Sequence, residues 1–290
     1  EALSEVITYM QALNTDIGIF HECGNTGDEA ARKRLENYAR EENATAIVAG
    51  TPNSTAAGTV IIIRGAWRKC VMGKKTKVYT ELGAGGSRLI QIVFRNEVKH
   101  GSRRNTIPET PQWLALYAIY GYNNAQASNR APMTTLLTTL NEAIKEFKRT
   151  EKLGTVIIAG DINAAKDTVL DTDRTVTAGT QTVEKDRWVH QHLEQCRVMN
   201  PIRMRHPTAR IVTHLEKEKT SRWLDYILMS KEAATSCATK AGVYCGAMDV
   251  PSDHRPVVAD IAINCAKMAS KVVDLWTPHT TMKIRRHKKV

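Results

Sequence analysis

The sequence lacks the features that are typical of disulfide-rich, zinc-finger, membrane-spanning and repeat proteins. Its 290 residues include only six cysteines, and none of them forms a Cys-x-x-Cys pair. Such scattered cysteines indicate reduced thiols in the core of an intracellular protein rather than disulfides or a zinc site. No apolar run approaches the roughly 18 residues that a membrane span requires. No signal-peptide pattern is visible at the start, and no repeat of solenoid length recurs.

Acidic residues are scarce relative to basic ones. The chain has 41 Lys and Arg residues against 30 Asp and Glu residues, which gives a net charge of +11 and a pI near 9.4. The apolar fraction of 42% and the charged fraction of 24% are ordinary for a soluble globular protein. The excess of positive charge therefore favours a polyanionic partner, with nucleic acid as the first candidate and an anionic membrane surface as the second.

Helical and strand-like segments are mixed along the chain. Helical spacing predicts helices over residues 3–13, 28–42, 132–153 and 184–196. Apolar and β-branched runs predict strands over residues 17–20, 45–49, 58–64, 88–98, 113–122, 155–159, 222–228 and 257–263, and the polar residues 167–183 predict a surface loop. This order favours an α+β fold of two packed mixed β-sheets flanked by helices. We expect one domain over residues 1–265 and a basic extension or linker over residues 266–290.

Side chains suited to catalysis lie at the ends of these predicted strands. They are Glu22, Tyr120, Asp161 with Asn163, Asp225, and Asp253 with His254. Strand ends along one edge of a sandwich can meet in a single cleft. A cluster of carboxylates with an imidazole and without thiols favours a hard cation, Mg²⁺ or Mn²⁺, over zinc.

These motifs resemble those of the endonuclease/exonuclease/phosphatase superfamily, the DNase I-like and apurinic-endonuclease-like enzymes. The matching segments are Glu22, the Tyr120 segment, Gly160-Asp161-x-Asn163, Leu224-Asp225-Tyr226-Ile227-Leu228 and Ser252-Asp253-His254-x-Pro256-Val257, in the family's order over roughly residues 15–263. The resemblance implies a DNase I-like four-layer sandwich. The loop at residues 170–174 also resembles the endonuclease domains of LINE-type (non-LTR) retrotransposons, in which the basic tail would lead to a reverse transcriptase.

The resemblance implies a metal-dependent phosphodiester hydrolase that acts on DNA. By resemblance, Glu22 binds the divalent ion and Asp253 is a second acid on the metal side. Asp161 orients and deprotonates the attacking water, Asn163 hydrogen-bonds the phosphate or that water, and Tyr120 also donates to the phosphate. Asp225 holds His254 against a non-bridging oxygen. The implied product is a nick with 3′-hydroxyl and 5′-phosphate ends, which in retroelements primes reverse transcription, and we expect the protein in the nucleus.

Two features depart from the family's pattern. The family carries an asparagine-bearing strand ahead of its metal-binding glutamate, whereas the residues before Glu22 predict a helix, so that the chain is truncated or the strand is absent. His21 stands where the family often has glutamine. The alternatives that stay open are the same fold acting on inositol phosphates or lipids, and a catalytically inactive nucleic-acid-binding module.

Several other residues have two interpretations. Lys99, Arg103 and Arg104 lie in a basic loop and are expected to contact DNA phosphates, although such residues can be solvated surface. Trp223 belongs either to the core or to a wedge near DNA. If Asp225 is not catalytic, its carboxylate needs a partner such as Arg222. Four further histidines, His190, His192, His206 and His214, are interpreted as residues without a metal-binding role.

Overall fold

The computed structural model describes residues 2–24, 26–50, 58–80, 82, 88–96, 112–123, 127–152, 154–167, 169–173, 177–215, 221–245 and 252–261. In these ranges the helices are α1 (Ala2–Ala12), α2 (Glu29–Glu41), α3 (Arg130–Thr150), α4 (Thr177–Gln195) and α5 (Pro201–Arg205), besides short 3-10 and π turns. The strands are β1 (Ile17–His21), β2 (Thr45–Ala49), β3 (Thr59–Ile63), β4 (Lys77–Val78), β5 (Leu89–Asn96), β6 (Gln112–Ile119), β7 (Thr155–Asp161), β8 (Val198–Met199), β9 (Asp225–Ser230), β10 (Ala238–Val243) and β11 (Val257–Ile261).

The strands form three sheets. One has the order β1-β3-β2, one has the order β4-β5-β6-β7-β9-β8, and β10 pairs with β11. Strands β6 and β7 are parallel, because the long helix α3 connects them and returns the chain to the same edge. Every other pair among the described strands is antiparallel.

The core consists of three apolar interfaces, because successive side chains of each strand point to opposite faces of its sheet. In β7, Val156 and Ile158 face α3 and α4, whereas Ile157 packs against the other sheet. In β3, Ile61 packs between the sheets and Ile62 faces α1 and α2. Because both faces of these strands are buried, their sequences are continuous apolar runs. The layers are therefore helix, sheet, sheet and helix.

This architecture confirms the predicted α+β class and the four-layer sandwich. Of the two large sheets only the six-stranded one is mixed; the three-stranded sheet is antiparallel. The residues before β1 form α1, as predicted, and no strand precedes β1 in the part of the chain that the structure describes. The predicted loop over residues 167–183 is wrong in its second half, because α4 begins at Thr177.

Three further predictions concern membrane spans, the cysteines and the domain boundary. No helix among the described residues is both long enough and apolar enough to cross a membrane. Four described cysteines are free thiols, but only Cys196 is buried; Cys23 and Cys70 are half-buried and Cys245 is exposed, so the expected core location is wrong for three of them. Residues 266–290 lie outside the described residues, and the domain boundary stays a prediction.

Candidate active site

Glu22 and Tyr120 join the two large sheets at one edge. Glu22 follows β1 with a φ of +58°, and Tyr120 follows β6. The Tyr120 hydroxyl donates a hydrogen bond to Glu22 Oε1. Burial, this hydrogen bond and the nearby negative charges raise the pKa of Tyr120 far above its ordinary value. Tyr120 is therefore a hydroxyl donor at any physiological pH.

His21 supports Tyr120 from the three-stranded sheet. The two rings stack with centroids 5.2 Å apart and planes 16° apart. His21 Nδ1 lies 3.1 Å from Thr59 Oγ1. Burial lowers the pKa of His21 to about 4, so its imidazole is neutral. A neutral hydrogen-bonding ring is a physically sensible replacement for the glutamine that the resemblance suggested at this position.

Arg88 is a site residue that the sequence analysis missed. Its guanidinium lies 4.4 Å from the ring centroid of Tyr120 and 4.0 Å from that of Tyr122. It donates hydrogen bonds to the carbonyl oxygens of Tyr120 (3.2 Å) and Gly121 (2.8 Å). The signal that could have found it is its position directly before β5, whose first residue Leu89 pairs with Ile119 at the end of β6.

Asp161 and Asn163 form a tight unit at the end of β7. The backbone N–H and the side-chain amide of Asn163 donate to the two Asp161 carboxylate oxygens at 2.8 and 2.9 Å, and the amide also reaches the Gly121 carbonyl at 3.1 Å. Gly160 has a φ of +138°, and a Cβ there would lie 2.1 Å from the Ile119 carbonyl oxygen. Glycine is therefore required before Asp161 for the close approach of β6.

The carboxyl of Asp161 is held in an unusual electrostatic state. Burial is the main cause, and the negative charges of Asp225 and Glu22 add to it, so that the pKa of Asp161 lies well above its ordinary value. The His254 charge and the Asn163 N–H act in the opposite direction. A carboxylate with a raised pKa is a stronger base than a solvated one.

Asp225 and His254 lie beside Asp161. Asp225 opens β9 and pairs in register with Asp161, and its Oδ2 lies 2.8 Å from His254 Nδ1. Thr213 Oγ1 accepts the Asp225 backbone N–H at 3.1 Å. Although burial opposes the charged imidazole, the hydrogen bond to Asp225 and the surrounding carboxylates outweigh it and raise the pKa of His254 to about 9. His254 is therefore a cation at neutral pH.

The neighbouring residues resolve two of the alternatives. Arg222 forms its ion pair with Asp186, so it is not the partner of Asp225. Trp223 is 1% exposed and stacks on Tyr226 with centroids 5.1 Å apart, which favours the core interpretation over a wedge near DNA.

The structure brings most of the predicted site residues together. Glu22, Tyr120, Asp161, Asn163, Asp225 and His254 interact along one edge of the sandwich. Asp253 is largely exposed and faces His214, with 3.3 Å between Asp253 Oδ2 and His214 Nε2. Lys99, Arg103 and Arg104 lie outside the described residues.

Comparison with known proteins gives a result at the level of fold. No family model matches the chain, and no curated protein matches it. Solved structures do match. An AP endonuclease from Archaeoglobus fulgidus matches with a TM-score of 0.66 at 15% identity, over 90% of this chain and 94% of that one. The AP endonuclease LMAP from Leishmania major matches with a TM-score of 0.68 at 16% identity, over 89% of this chain and 81% of that one.

A third match is a variant of the 3′ phosphatase NExo from Neisseria bound to a product DNA hairpin, with a TM-score of 0.64 at 16% identity, over 89% of this chain and 93% of that one. The chain has the AP endonuclease fold. At these identities the likeness establishes the fold alone. It confirms the DNase I-like sandwich that the sequence motifs implied.

Within this AP endonuclease fold, the residues present fit a hard divalent cation. Glu22, Asp161 and Asp225 supply carboxylate oxygens, which are the ligands that Mg²⁺ and Mn²⁺ prefer. Burial, and then the negative charges of Asp225 and Glu22, raise the pKa of Asp161, and a bound cation would relieve this imbalance. One ligand atom from each of Asp161, Asp225 and His254 lies within 4.8 Å of the others. A cation bound by Glu22 at this edge would lie next to the carboxylates of Asp161 and Asp225 on the other large sheet.

Proposed function

We propose that the chain is a divalent-metal-dependent DNA endonuclease that hydrolyses a phosphodiester bond to leave 3′-hydroxyl and 5′-phosphate ends. The observation that carries this proposal is the side-by-side placement of Asp161 and the Asp225–His254 ion pair. It puts a carboxylate base and a cationic hydrogen-bond donor next to each other, which is the pairing that attack on an anionic phosphate requires.

The chain's own groups have distinct tasks in this proposal. Asp161 orients and deprotonates the attacking water, because Asn163 fixes its carboxylate and a nearby cation would keep that buried carboxylate ionised. Asn163 keeps the Asp161 carboxylate in one orientation. Both N–H groups of its amide are donated to Asp161 and Gly121, so its Oδ1 is the atom that would accept a hydrogen bond from the water. His254 donates from Nε2 to a non-bridging oxygen, since its Nδ1 is held by Asp225. The single hydroxyl proton of Tyr120 is donated to Glu22, so Tyr120 acts on the phosphate only through that carboxylate.

A divalent cation held by Glu22, with Asp253 as a second acid on the metal side, would act as a Lewis acid on the phosphoryl oxygens. The hydroxyl of Tyr120 fixes the Glu22 carboxylate in place. Mg²⁺ is the proposed ion and Mn²⁺ its substitute, because both favour oxygen ligands.

Two observations support DNA as the substrate. The net charge of +11 favours a polyanion. One structure of the same fold, the Neisseria NExo variant, is bound to a product DNA hairpin. We place the phosphate contacts of the DNA partner on Lys99, Arg103 and Arg104 in the basic loop.

The biological setting that fits these features is the target-nicking domain of a non-LTR retrotransposon. Support comes from the motif resemblance at residues 170–174 and from the basic residues toward position 290, which suit a linker to a covalently joined reverse transcriptase. In this setting the 3′-hydroxyl of the nick is the primer for reverse transcription, and the protein acts in the nucleus.

The decisive experiment is nicking of supercoiled plasmid in the presence of Mg²⁺ and, separately, of chelator. We expect relaxed circles only with the metal, and a loss of about 10²–10⁴-fold for Asp161→Asn, the contribution typical of a positioned base. Asp260→Asn, an exposed carboxylate at the far end of β11, is the matched control and should nick normally. Ends that a polymerase extends without prior phosphatase treatment would establish the 3′-hydroxyl.

The same preparation separates the alternatives. Turnover of soluble inositol phosphates without plasmid nicking would contradict the DNA endonuclease proposal and favour the phosphatase branch. Salt-sensitive DNA binding by the wild-type chain with no nicking in Mg²⁺ or Mn²⁺ would instead indicate an inactive nucleic-acid-binding module.

A further inference from the structure

His214, Asp253 and His254 form a second group of potential metal ligands at the rim of the candidate site. One ligand atom from each residue lies within 4.8 Å of the others. His214 Nε2 is 3.3 Å from Asp253 Oδ2, and the two imidazole rings have centroids 4.7 Å apart. From sequence alone, His214 is predicted to have no metal-binding role. The fold instead places it against the histidine of the candidate active site.

Backbone hydrogen bonds hold this group in place from two sides. His214 exchanges hydrogen bonds with Arg222, at 2.9 Å from its N–H and 3.0 Å to its carbonyl. On the other side, the Leu215 N–H donates to the Asp253 carbonyl at 2.8 Å and the Arg255 N–H donates to the Thr213 carbonyl at 2.6 Å. The segment that carries His214 is therefore hydrogen-bonded both to the lead-in of β9 and to the segment that carries His254. Ligands on such a paired framework need little ordering when an ion binds.

The surroundings of His254 are those of a metal-ligating histidine. Its Nδ1 is taken by Asp225 at 2.8 Å, which leaves Nε2 as the nitrogen available to a ligand. Histidines that bind metals usually have this arrangement, in which a carboxylate behind the ring fixes its orientation and increases its basicity. In His214, Nδ1 is buried without a partner among the described residues, so Nε2 is the nitrogen that faces Asp253.

The donor set differs from that of the carboxylate-rich site. Two imidazole nitrogens and one carboxylate suit zinc and other divalent first-row transition metals, whereas Mg²⁺ favours oxygen ligands. Zinc bonds of about 2.0–2.2 Å in a tetrahedral arrangement put neighbouring ligand atoms about 3.4 Å apart. The separation of 3.3 Å between His214 Nε2 and Asp253 Oδ2 already matches that edge. Three protein ligands leave a fourth position open for water.

We propose that His214, Asp253 and His254 bind a transition-metal dication, zinc foremost. Asp253 is also the second acid on the metal side in the proposed function, so this site adjoins the Mg²⁺ held by Glu22 and shares that one carboxylate with it. Ion binding here needs no nuclease activity, so the inference goes beyond the proposed function. One consequence does rest on that function. Zinc on His254 Nε2 takes away the donor that would otherwise face the phosphate, so zinc inhibits Mg²⁺-dependent nicking by blocking His254.

The direct test is calorimetric titration of the chain with Zn²⁺ in the presence of excess Mg²⁺, followed by the visible absorption spectrum with Co²⁺. Because Cys245 is an exposed thiol that could itself bind zinc, every protein carries Cys245→Ser. We expect one zinc site that Mg²⁺ does not displace. In His214→Phe, which keeps a ring against His254, and in Asp253→Asn, the affinity should fall by at least about tenfold, the low end of the loss seen when a group behind a ligand is removed.

His206→Phe is the matched control, because it removes an exposed histidine from the turn after α5. It should bind zinc as the parent protein does. Asp253 is exposed, so Asp253→Asn keeps the fold even if His214→Phe does not, and it decides the question in that case. Absence of zinc binding in the parent, or affinities unchanged in both ligand variants, would overturn the inference.

The consequence for activity is tested by adding Zn²⁺ to nicking reactions at constant Mg²⁺. Inhibition of the parent protein, with a proportional loss of zinc sensitivity in His214→Phe, supports the assignment of His254 as a shared ligand. Tight zinc binding without inhibition would contradict that assignment. A parent protein that binds zinc but never nicks with Mg²⁺ would refute the proposed function and leave the metal site supported.

Discussion

At the scale of single residues, Tyr120 shows how one hydroxyl connects two sheets at the candidate site. Its ring contacts His21 and Arg88, and its hydroxyl donates to Glu22. Tyr120→Phe keeps both ring contacts and removes only the donor. We expect nicking to fall by about 10-fold or more, because a hydrogen bond to a charged group contributes about 1.5–3 kcal/mol. The rate of plasmid relaxation measures this loss.

Tyr117→Phe is the matched control for Tyr120→Phe, because it also removes only a hydroxyl group. Tyr117 is also buried and lies three residues earlier, but its hydroxyl donates to the Ala143 carbonyl in the core at 3.0 Å. Its loss should lower the free energy of unfolding by about 1 kcal/mol and leave nicking unchanged. Equal effects of the two substitutions on nicking would mean that Tyr120 acts through stability alone.

Asp225 determines the charge of His254, and this is measurable without metal or substrate. In the metal-free protein the pKa of His254 is raised to about 9, with the Asp225 carboxylate as the main group that favours the cation. Asp225→Asn removes the negative charge, so we expect the pKa of His254 to fall toward the ordinary value of about 6.5. Nitrogen-detected NMR titration of the imidazole follows this directly.

The raised pKa of His254 also makes the stability of the fold depend on pH. Because the pKa of His254 is higher in the folded chain, its pairing with Asp225 stabilises the fold fully below about pH 6.5, and this stabilisation is lost as the pH rises through about 9. The Asn variant should lack this pH-dependent part of the unfolding free energy. A wild-type His254 that titrates near pH 6.5 would show that the ion pair does not form.

The site residues differ in how far the sequence could predict them. Each of Asp161, Asp225 and His254 is a weak signal alone, and they are predicted because they occur together at strand ends and match one family's motifs in order. Arg88 and His214 were missed, since each acquires its role from a neighbour distant in sequence. Arg88 reaches Tyr120 only through the pairing of β5 with β6, and His214 reaches His254 only through an isolated β-bridge.

At the scale of elements, a buried ion pair fixes α4 to the approach of β9. Asp186 is 1% exposed, pairs with Arg222 and also accepts the Ala165 backbone N–H at 3.1 Å. Asp186→Ala leaves a buried guanidinium and a buried N–H without this acceptor. We expect the free energy of unfolding to fall by about 3–5 kcal/mol, as for other broken buried pairs. Urea denaturation measures the change.

Glu146 on α3 provides the contrasting pair. It contacts Arg149 at 2.7 Å, but both side chains are mostly exposed. Because water screens this pair and its side chains lose freedom in forming it, Glu146→Ala should leave the urea midpoint unchanged within error. A midpoint shift for Glu146→Ala as large as that for Asp186→Ala would show that burial is not the cause of the difference.

The elements were predicted best where the sequence has a strong period or a long apolar run. Strands β3 and β7 are β-branched runs buried on both faces, and α3 has a clear apolar stripe. The two-residue strand β8 and the five-residue helix α5 are too short to show any period. The first turns of α4 are rich in threonine and contain glycine, so their sequence favours a loop. The ion pair between Asp186 and Arg222 is one tertiary contact that stabilises the helix.

At the scale of the whole molecule, the four-layer stacking makes distant strand ends neighbours. Glu22 comes from the three-stranded sheet, whereas Asp161 and Asp225 come from the six-stranded sheet. The site therefore exists only when the two sheets pack on each other. A prediction from sequence could find the residues of each sheet, but their meeting depends on which faces of the sheets are apolar.

The charge of the whole molecule leads to a prediction about DNA affinity. If binding releases counterions from phosphates, the logarithm of the binding constant falls linearly with the logarithm of salt concentration, with a slope of about −0.9 for each phosphate neutralised. Replacing Lys99, Arg103 and Arg104 by alanine should weaken the slope by up to about 2.7, since three contacts are removed. Fluorescence anisotropy on an Asp161→Asn background avoids cleavage during the measurement.

A second triple variant distinguishes local contacts from the general field. Replacing Arg32, Lys33 and Arg40 by alanine removes the same number of charges from the exposed face of α2, which packs on the opposite outer layer from α3 and α4. If the basic loop contacts phosphates, the loop variant changes the salt dependence of DNA binding and the α2 variant leaves it nearly unchanged. The reason is that exposed charges farther than a Debye length of about 8–10 Å from the DNA are screened. Equal changes in both variants would mean that the net charge of +11 attracts DNA without the loop as a specific contact.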